Sequence, residues 1–251
     1  MINIKGDYEI DLMRKSGRVT GYILRELEDY IKPGLSTKDI DRHVEKIIKQ
    51  HDMIPTFKGY QGYPANVCAS INDEVVHGIP TKHRILEEGD IISVDIGSTY
   101  KGFVSDAART YAVGKISENA KDIMEAAERS FFCGLEYCRV GNRLSDISHA
   151  IQESAEGDGY GVIRDLVGHG VGSNMHEDPQ IPNYGKAGRG PRIAKGMAFA
   201  IEPMITEGTY EIVTLDDGWT IVTADGKLAA HYENTVIITD GEPELLTLYD
   251  E

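Results

Sequence analysis

The sequence predicts an α+β fold of two similar halves, with antiparallel sheets packed together at the centre and helices outside. Three observations support this class: helical segments precede short β-rich runs, this order occurs twice, and one segment recurs. Residues 34–44 (GLSTKDIDRHV) align with residues 141–151 (GNRLSDISHAI) after a shift of 107 positions. We expect one domain over residues 1–251, with halves at about 8–113 and 117–240 and a site in the cleft between them.

The first half begins with two predicted helices. Apolar or small residues recur at three-four spacing over residues 8–31, and Pro33 and Gly34 end this helix. Ser36 or Thr37 caps a second helix with one apolar stripe. The runs VCASI, IISVDIGS and FVSDAARTYAV then predict strands, and a turn joins the last two.

The second half repeats this order. A helical segment runs from about Ser117 to Arg139, and after Gly141 a second helix passes through Ile147 and Ile151. The stretch GHGVGSNMHEDP, residues 168–179, is predicted as an irregular loop because its glycines and proline interrupt regular pairing.

Composition excludes several classes of protein. Of 251 residues 41% are apolar, which is enough for a substantial core. Three cysteines suit a reducing compartment better than a disulfide framework. No apolar run approaches the ~20 residues that span a bilayer, so we expect no membrane association and a cytoplasmic location. The net charge of −15 argues against a nucleic-acid substrate.

Asp95 and Asp106 flank the predicted hairpin turn. If Tyr100 and Lys101 form the loop, the two aspartates lie directly opposite each other, with Cβ atoms about 4.5–5.5 Å apart. Like charges at that distance destabilise a sheet, so a cation should lie between them. The alternative is two solvated carboxylates on an exposed face of the hairpin.

Glu202 and Glu233 are single acids within apolar, strand-like runs, AFAIEPMI and AHYENTVII. An unpaired buried charge is costly, so each needs a partner unless it lies at a strand end and faces water. Together with Asp95, Asp106 and His169 they form an oxygen-rich set that suits divalent first-row metal ions. Two such ions would balance the four carboxylate charges.

His169 and His176 are seven positions apart. On a helix this spacing is roughly 10 Å of rise, and on a strand it directs the side chains to opposite faces. We therefore expect them to have different roles. From the residues alone, a structural role is the alternative for both of them and for His77.

Four segments in this order, VDIGSTYKGFVSDAART, GHGVGSNMHEDP, AIEPMI and HYENTVII, resemble the type I methionine aminopeptidases, which have the pita-bread fold. The resemblance covers nearly the whole chain, and NVCASINDEVVHGIP, residues 66–80, resembles the methionine branch rather than proline-directed relatives. It implies a single catalytic domain that removes the initiator methionine when the second residue is small.

The resemblance also implies a site with two divalent metal ions, of Co, Mn, Fe or Zn. By this resemblance Asp106 and Glu233 bridge both ions, Asp95 completes the shell of one, and His169 and Glu202 complete that of the other. Glu202 is then the catalytic acid and base that handles the proton of the attacking water.

Substrate contacts are implied in the same way. His176 resembles the histidine that faces the substrate carbonyl, and His77 the one that hydrogen-bonds near the scissile amide. The predicted pocket for the first side chain consists of Phe57, Tyr60, Tyr63, Cys68, Met175 and Trp219. Core packing is the alternative role for these aromatic residues.

Five positions depart from the family pattern. Gly97 stands where many relatives carry a hydroxyl residue that helps hold the substrate amine. Phe57 and Met175 stand where one common bacterial version has Cys and Phe. His231 and Asn234 replace the Gln and His that are common around the last glutamate, and their roles are unassigned.

Two other functions are possible. An X-Pro-directed aminopeptidase or prolidase shares the ligands but usually carries a large amino-terminal domain. A non-catalytic pita-bread binding module would not need all five ligands.

The expected partner is the N-terminus of a nascent polypeptide. We expect the protein to be a monomer and to associate transiently with the ribosome. Residues 207–227 are rich in acids, which makes docking on RNA through this segment unexpected.

Overall fold

The computed structural model describes residues 1–249 and confirms the α+β class. The helices are α1 (Asp7–Tyr30), α2 (Thr37–Gln50), α3 (Glu118–Leu135) and α4 (Leu144–Gly157), with a 3₁₀ turn at Tyr60–Gly62. The strands are β1 (Ile54–Pro55), β2 (Val67–Ile71), β3 (Glu74–Val76), β4 (Ile91–Tyr100), β5 (Phe103–Ala112), β6 (Gly161–Val162), β7 (Gly168–Gly170), β8 (Glu177–Ile181), β9 (Ala198–Ile201), β10 (Met204–Thr206), β11 (Ile212–Thr214), β12 (Ile221–Thr223), β13 (Ala229–His231), β14 (Asn234–Ile237) and β15 (Glu244–Leu245).

The helix ends follow local chemistry. Ser36 caps α2, where its hydroxyl accepts a hydrogen bond from the Asp39 amide at 3.2 Å and the Asp39 carboxylate accepts one from the Ser36 amide at 3.0 Å. The predicted helix 117–139 is too long, because α3 ends at Leu135. There the Cys138 amide donates to the Leu135 carbonyl, and this tighter bonding closes the end.

Each half has its own apolar core. One cluster joins α1 and α2 to β2, β4 and β5 and includes the fully buried Ile23 and Ile96. The other joins α3 and α4 to β9, β10 and β14 and includes Phe131 and Phe199. The helices therefore cover the outside of the sheets. No helix within residues 1–249 is long and apolar enough to cross a membrane.

Matched contacts support the proposed repeat, which stays a prediction. Gly34 and Gly141 both have positive φ, 91° and 95°, which glycine adopts without a Cβ clash. The Gly34 amide donates to the Leu86 carbonyl at 2.8 Å, and the Gly141 amide donates to the Ile193 carbonyl at 3.0 Å. The same shift of 107 positions thus relates both donors and both acceptors.

The hairpin register corrects the predicted opposition of Asp95 and Asp106. The turn residues are Lys101 and Gly102, whose φ values of 48° and 85° are both positive, as a type I′ turn requires. Asp106 is therefore opposite Gly97, and Asp95 is opposite Ala108. The prediction was wrong by two residues, but both aspartates stay on one face because side chains alternate with a period of two.

The stretch 168–179 is more regular than predicted. Its ends form β7 and β8, and only residues 171–176 connect them. A Cβ on Gly168 would lie 2.5 Å from the Ala200 carbonyl oxygen, and one on Gly170 would lie 2.2 Å from that of Asp178. The glycines therefore permit close strand pairing here instead of interrupting it.

The sheets of the two halves meet along β5. Ala108 and Glu233 exchange backbone hydrogen bonds of 3.3 and 2.9 Å, and the Thr235 hydroxyl bonds both the amide and the carbonyl of Asp106 at 2.8 Å. Strand β14, which follows Glu233, lies in a five-stranded sheet with order β15-β14-β9-β7-β8. This seam carries the candidate site.

Candidate active site

The two halves contribute two carboxylates each. Asp95 and Asp106 lie on β4 and β5, while Glu202 follows β9 and Glu233 precedes β14. Because Ile201 pairs with Asn234, Glu202 and Glu233 are the next opposed positions along the same two strands. Both glutamates therefore lie at strand ends, as the alternative interpretation allowed, but they face the interior rather than water.

His169 lies on β7 with its ring between carboxylates of both halves. Its Nε2 is 3.6 Å from Asp106 Oδ2 and 3.5 Å from Glu202 Oε1. Its Nδ1 is 2.9 Å from the Gly170 carbonyl oxygen, which can only accept, so the proton is assigned to Nδ1 and the Nε2 lone pair faces the acids. Burial lowers the pKa of His169 to about 4, which keeps the ring neutral at pH 7.

The electrostatics of the four carboxylates favour the binding of protons or cations. Burial, followed by the neighbouring acids, raises the pKa of Asp95, Glu202 and Glu233 well above the ordinary range, and burial raises that of Asp106 to about 7. Within residues 1–249 only histidine rings come within 4 Å as cationic partners, with no lysine or arginine among them.

One oxygen each of Asp95, Asp106 and Glu233 is buried without a hydrogen-bond partner. Oxygen ligands with one imidazole suit a divalent first-row ion, and Asp106, His169 and Glu233 offer ligand atoms within 4.8 Å of one another. The residues present therefore fit a divalent metal ion.

His176 lies beside His169, with ring centroids 4.3 Å apart. The Tyr60 hydroxyl is 2.7 Å from its Nδ1, and burial followed by the charge of His169 lowers its pKa to about 4. His77 has a positive φ of 61° and lies 6.4 Å from the Trp219 ring, and burial lowers its pKa too. Neither imidazole ion-pairs with the four acids among the described residues.

Every predicted site residue lines one pocket of about 140 Å³. The predicted set is Phe57, Tyr60, Tyr63, Cys68, His77, Asp95, Asp106, His169, Met175, His176, Glu202, Trp219 and Glu233. Gln61 also lines the pocket and was not predicted, because nothing in the sequence distinguishes it. His231 lies just behind the acids, and its position two residues before Glu233 on a strand was an available signal.

The Phe57 ring accounts for the absence of a side chain at position 97. A Cβ on residue 97 would lie 2.6 Å from Phe57 Cε1 and 2.9 Å from the Cβ of Thr56. The Phe57 ring therefore occupies the space that a side chain at position 97 would need. The two departures from the family pattern are physically coupled.

Comparison with known proteins shows which family the chain belongs to. Residues 11–240 match the model of metallopeptidase family M24. The chain belongs to metallopeptidase family M24. It is 57% identical to a methionine aminopeptidase of Clostridium acetobutylicum over 248 residues, which cover 99% of both chains. It is 48% identical to methionine aminopeptidase 1 of Bacillus subtilis over 247 residues, covering 98% of this chain and 99% of that one.

Solved structures agree with the M24 assignment. A methionine aminopeptidase from Thermotoga maritima superposes with a TM-score of 0.97 at 47% identity, covering 99% of this chain and 100% of that one. A prolidase from Pyrococcus furiosus has a TM-score of 0.77 at 22% identity over 66% of its length, which is likeness of fold alone. The recognition from the motifs is confirmed, with the pita-bread fold and the use of divalent metal that this metallopeptidase family implies.

Proposed function

We propose that this protein is a methionine aminopeptidase that removes the initiator methionine from nascent polypeptides when the second residue is small. The observation that carries the proposal is one pocket that joins four carboxylates, of which Asp106 and Glu233 are buried, and His169 to an apolar wall. Relatives named methionine aminopeptidase, at 48–57% identity over nearly the whole chain, support it.

The proposed centre holds two divalent ions of Co, Mn, Fe or Zn. In this proposal Asp106 and Glu233 would be ligands of both ions, Asp95 of one, and His169 and Glu202 of the other. Such ions supply a Lewis acid and bring the pKa of water towards about 7. Their positive charge also matches the group of acids, whose pKa values are raised by burial and, for Asp95, Glu202 and Glu233, by the neighbouring acids as well.

Glu202 moves the proton in this proposal. Its carboxylate takes a proton from the attacking water and returns it to the departing amine.

His176 and His77 bind the peptide group. If the Tyr60 hydroxyl donates to Nδ1 of His176, the Nε2–H of that ring is free to donate to the substrate carbonyl, where negative charge develops. His77 donates near the scissile amide. Both rings are neutral at pH 7 because burial lowers each pKa.

Selectivity for methionine follows from the wall of the pocket. An unbranched thioether fits between aromatic rings and the flexible Met175. An apolar pocket distinguishes one methylene by only about 1–3 kcal/mol, so leucine at the first position should be cleaved slowly rather than refused. A formylated amine loses the contacts with ions and acids that a free amine makes.

The remaining parts of the proposal concern the cell. The enzyme acts as a cytoplasmic monomer on the N-termini of nascent chains and contacts the ribosome transiently. The acids of residues 207–227 support contact with something other than exposed RNA phosphates.

Peptide cleavage tests the function. Met-Ala-Ser, Met-Leu-Ser, Leu-Ala-Ser, Ala-Pro-Ser and formyl-Met-Ala-Ser are compared with Mn, Fe, Co and Zn, with Met-Ala-Ser expected to be cleaved fastest. Asp106→Asn should lose both bound metal and activity, while the control Asp165→Asn, at an exposed position, should keep both. Cleavage of Ala-Pro-Ser alone indicates an X-Pro aminopeptidase, and no cleavage with any metal indicates a binding module.

A further inference from the structure

His231 is a buried histidine whose Nε2 has no hydrogen-bond partner. The residue ends β13 and is 2% exposed. Nε2 lies 3.6 Å from Glu233 Oε2 and 3.9 Å from Glu202 Oε2, and both distances are too long for hydrogen bonds. Within residues 1–249 this nitrogen has no other polar partner, and leaving it unpaired is costly.

Strand geometry directs this ring to the acids. His231 pairs with Met204, and Asn234 pairs with Ile201, so the same two chain segments continue in one register across both pairs. Residues two apart on an extended strand share a face. His231 therefore points to the same side as Glu233 because of its backbone position.

The spacing around His231 matches that around His169. Nε2 of His169 lies 3.6 and 3.5 Å from its two nearest carboxylate oxygens, compared with 3.6 and 3.9 Å for His231. Ligand atoms that share an ion through bonds of about 2.1 Å lie roughly 3.0–3.5 Å apart at ordinary bond angles. Glu202, His231 and Glu233 also offer ligand atoms within 4.8 Å of one another.

We propose that His231 Nε2 is an additional ligand of the metal ion shared by Glu202 and Glu233, so that the centre has two imidazole ligands, His169 and His231. The inference rests on the proposed metal centre and adds a residue to it. Imidazole suits Fe and Zn, whereas carboxylate suits Mn. The second imidazole thus shifts the preference of this ion away from Mn.

His231→Gln is the test variant, and His83→Gln at an exposed position is its control. Glutamine keeps an N–H donor of similar reach but is a poor metal ligand. The protein is loaded with two equivalents of Zn²⁺ or Co²⁺, and X-ray absorption spectroscopy counts the bound imidazoles. We expect His231→Gln to lose one of the two imidazoles per protein, and the ratio of Zn to Mn affinity to fall about tenfold or more.

Metal affinity alone does not decide the matter, since loss of a residue that only hydrogen-bonds a ligand also costs about 10–100-fold. An unchanged imidazole count in His231→Gln, with or without weaker binding, overturns the proposal. Wild-type protein loaded with Co²⁺ gives a readout without a variant: two imidazole N–H proton resonances shifted by the ion support the proposal, and one contradicts it.

These results are distinct from failure of the proposed function. That failure would appear in the wild-type protein as no divalent ion bound and no cleavage of Met-Ala-Ser.

Discussion

Gly97→Ser is expected to destabilise the protein because the Phe57 ring already fills the adjacent space. The nearest Phe57 carbon would lie 2.6 Å from the new Cβ, and carbon atoms pack best at about 3.5–4.0 Å. One group must therefore move by roughly 1 Å. Phe57 is only 6% exposed, so its ring cannot turn into solvent without leaving the pocket wall.

The expected loss is the difference between two effects. Overpacking of this kind costs about 1–3 kcal/mol. Replacing a glycine within a strand recovers roughly 0.5–1 kcal/mol of backbone entropy. We therefore expect Gly97→Ser to reduce the free energy of unfolding by about 1 kcal/mol, within a range of roughly 0–2.5 kcal/mol.

A double-mutant cycle isolates the contact. Phe57→Cys alone opens a cavity, but together with Gly97→Ser it makes room for the hydroxymethyl group. The loss of unfolding free energy in the double variant should therefore be smaller than the sum of the two single losses by about 1–2 kcal/mol. Urea unfolding of the four metal-loaded proteins measures this difference. Gly157→Ser is the control, because a Cβ there meets nothing within 4 Å.

Two outcomes would refute the reasoning: a Gly97→Ser protein more stable than the wild type, or losses that add within about 0.5 kcal/mol. The same proteins also test function. In the double variant, the serine at position 97 can supply the hydroxyl contact to the substrate amine that many relatives make. The double variant should therefore have a lower KM for Met-Ala-Ser than Phe57→Cys alone.

Three further predictions concern the site and its support. Chelated protein should lose stability as pH rises through 7, because Asp106 has a folded pKa of about 7, raised above its unfolded value by burial. The contribution of Asp106 to stability is complete below its unfolded pKa and is lost as pH rises through 7. The slope is at most about 1.4 kcal/mol per pH unit for each carboxyl still protonated in the folded state. A free energy of unfolding, measured with urea, that does not change with pH contradicts this. His169→Ala should lose bound metal, whereas His176→Ala should keep it and lower kcat/KM, and equal metal loss by elemental analysis refutes this division. Lys5→Met should reduce the free energy of unfolding by about 1.5–3 kcal/mol and lower kcat, because Lys5 pairs at 2.6 Å with Glu177, the residue that follows His176. An unchanged melting temperature argues against this.

The sequence predicts those features that depend on local chemistry. Ser36 begins α2 because its side chain caps the helix, and the hairpin strands follow from alternating apolar residues. The common face of Asp95 and Asp106 was predicted from a wrong register, and it survived because the error was an even number of residues. An error of one residue would have separated the two acids.

Contacts between distant segments were not predictable in the same way. Phe57 reaches Gly97 because Pro55 on β1 pairs with Ser98 on β4, and nothing local encodes that pairing. His231 carries a local signal, since it precedes Glu233 by two residues. Its significance depends on Glu202, which the pairing of two separate strands brings to the same place.

The position of the acids links metal binding to the joining of the two halves. Asp106 lies on β5, and Glu233 is held beside that strand by its paired backbone hydrogen bonds with Ala108. At a pH where both carboxyls are ionised, repulsion between their charges acts across the seam, where the backbone cannot relax without breaking these bonds. Divalent ions replace that repulsion with attraction to both halves. Removal of the ions should consequently weaken the seam itself as well as the chemistry.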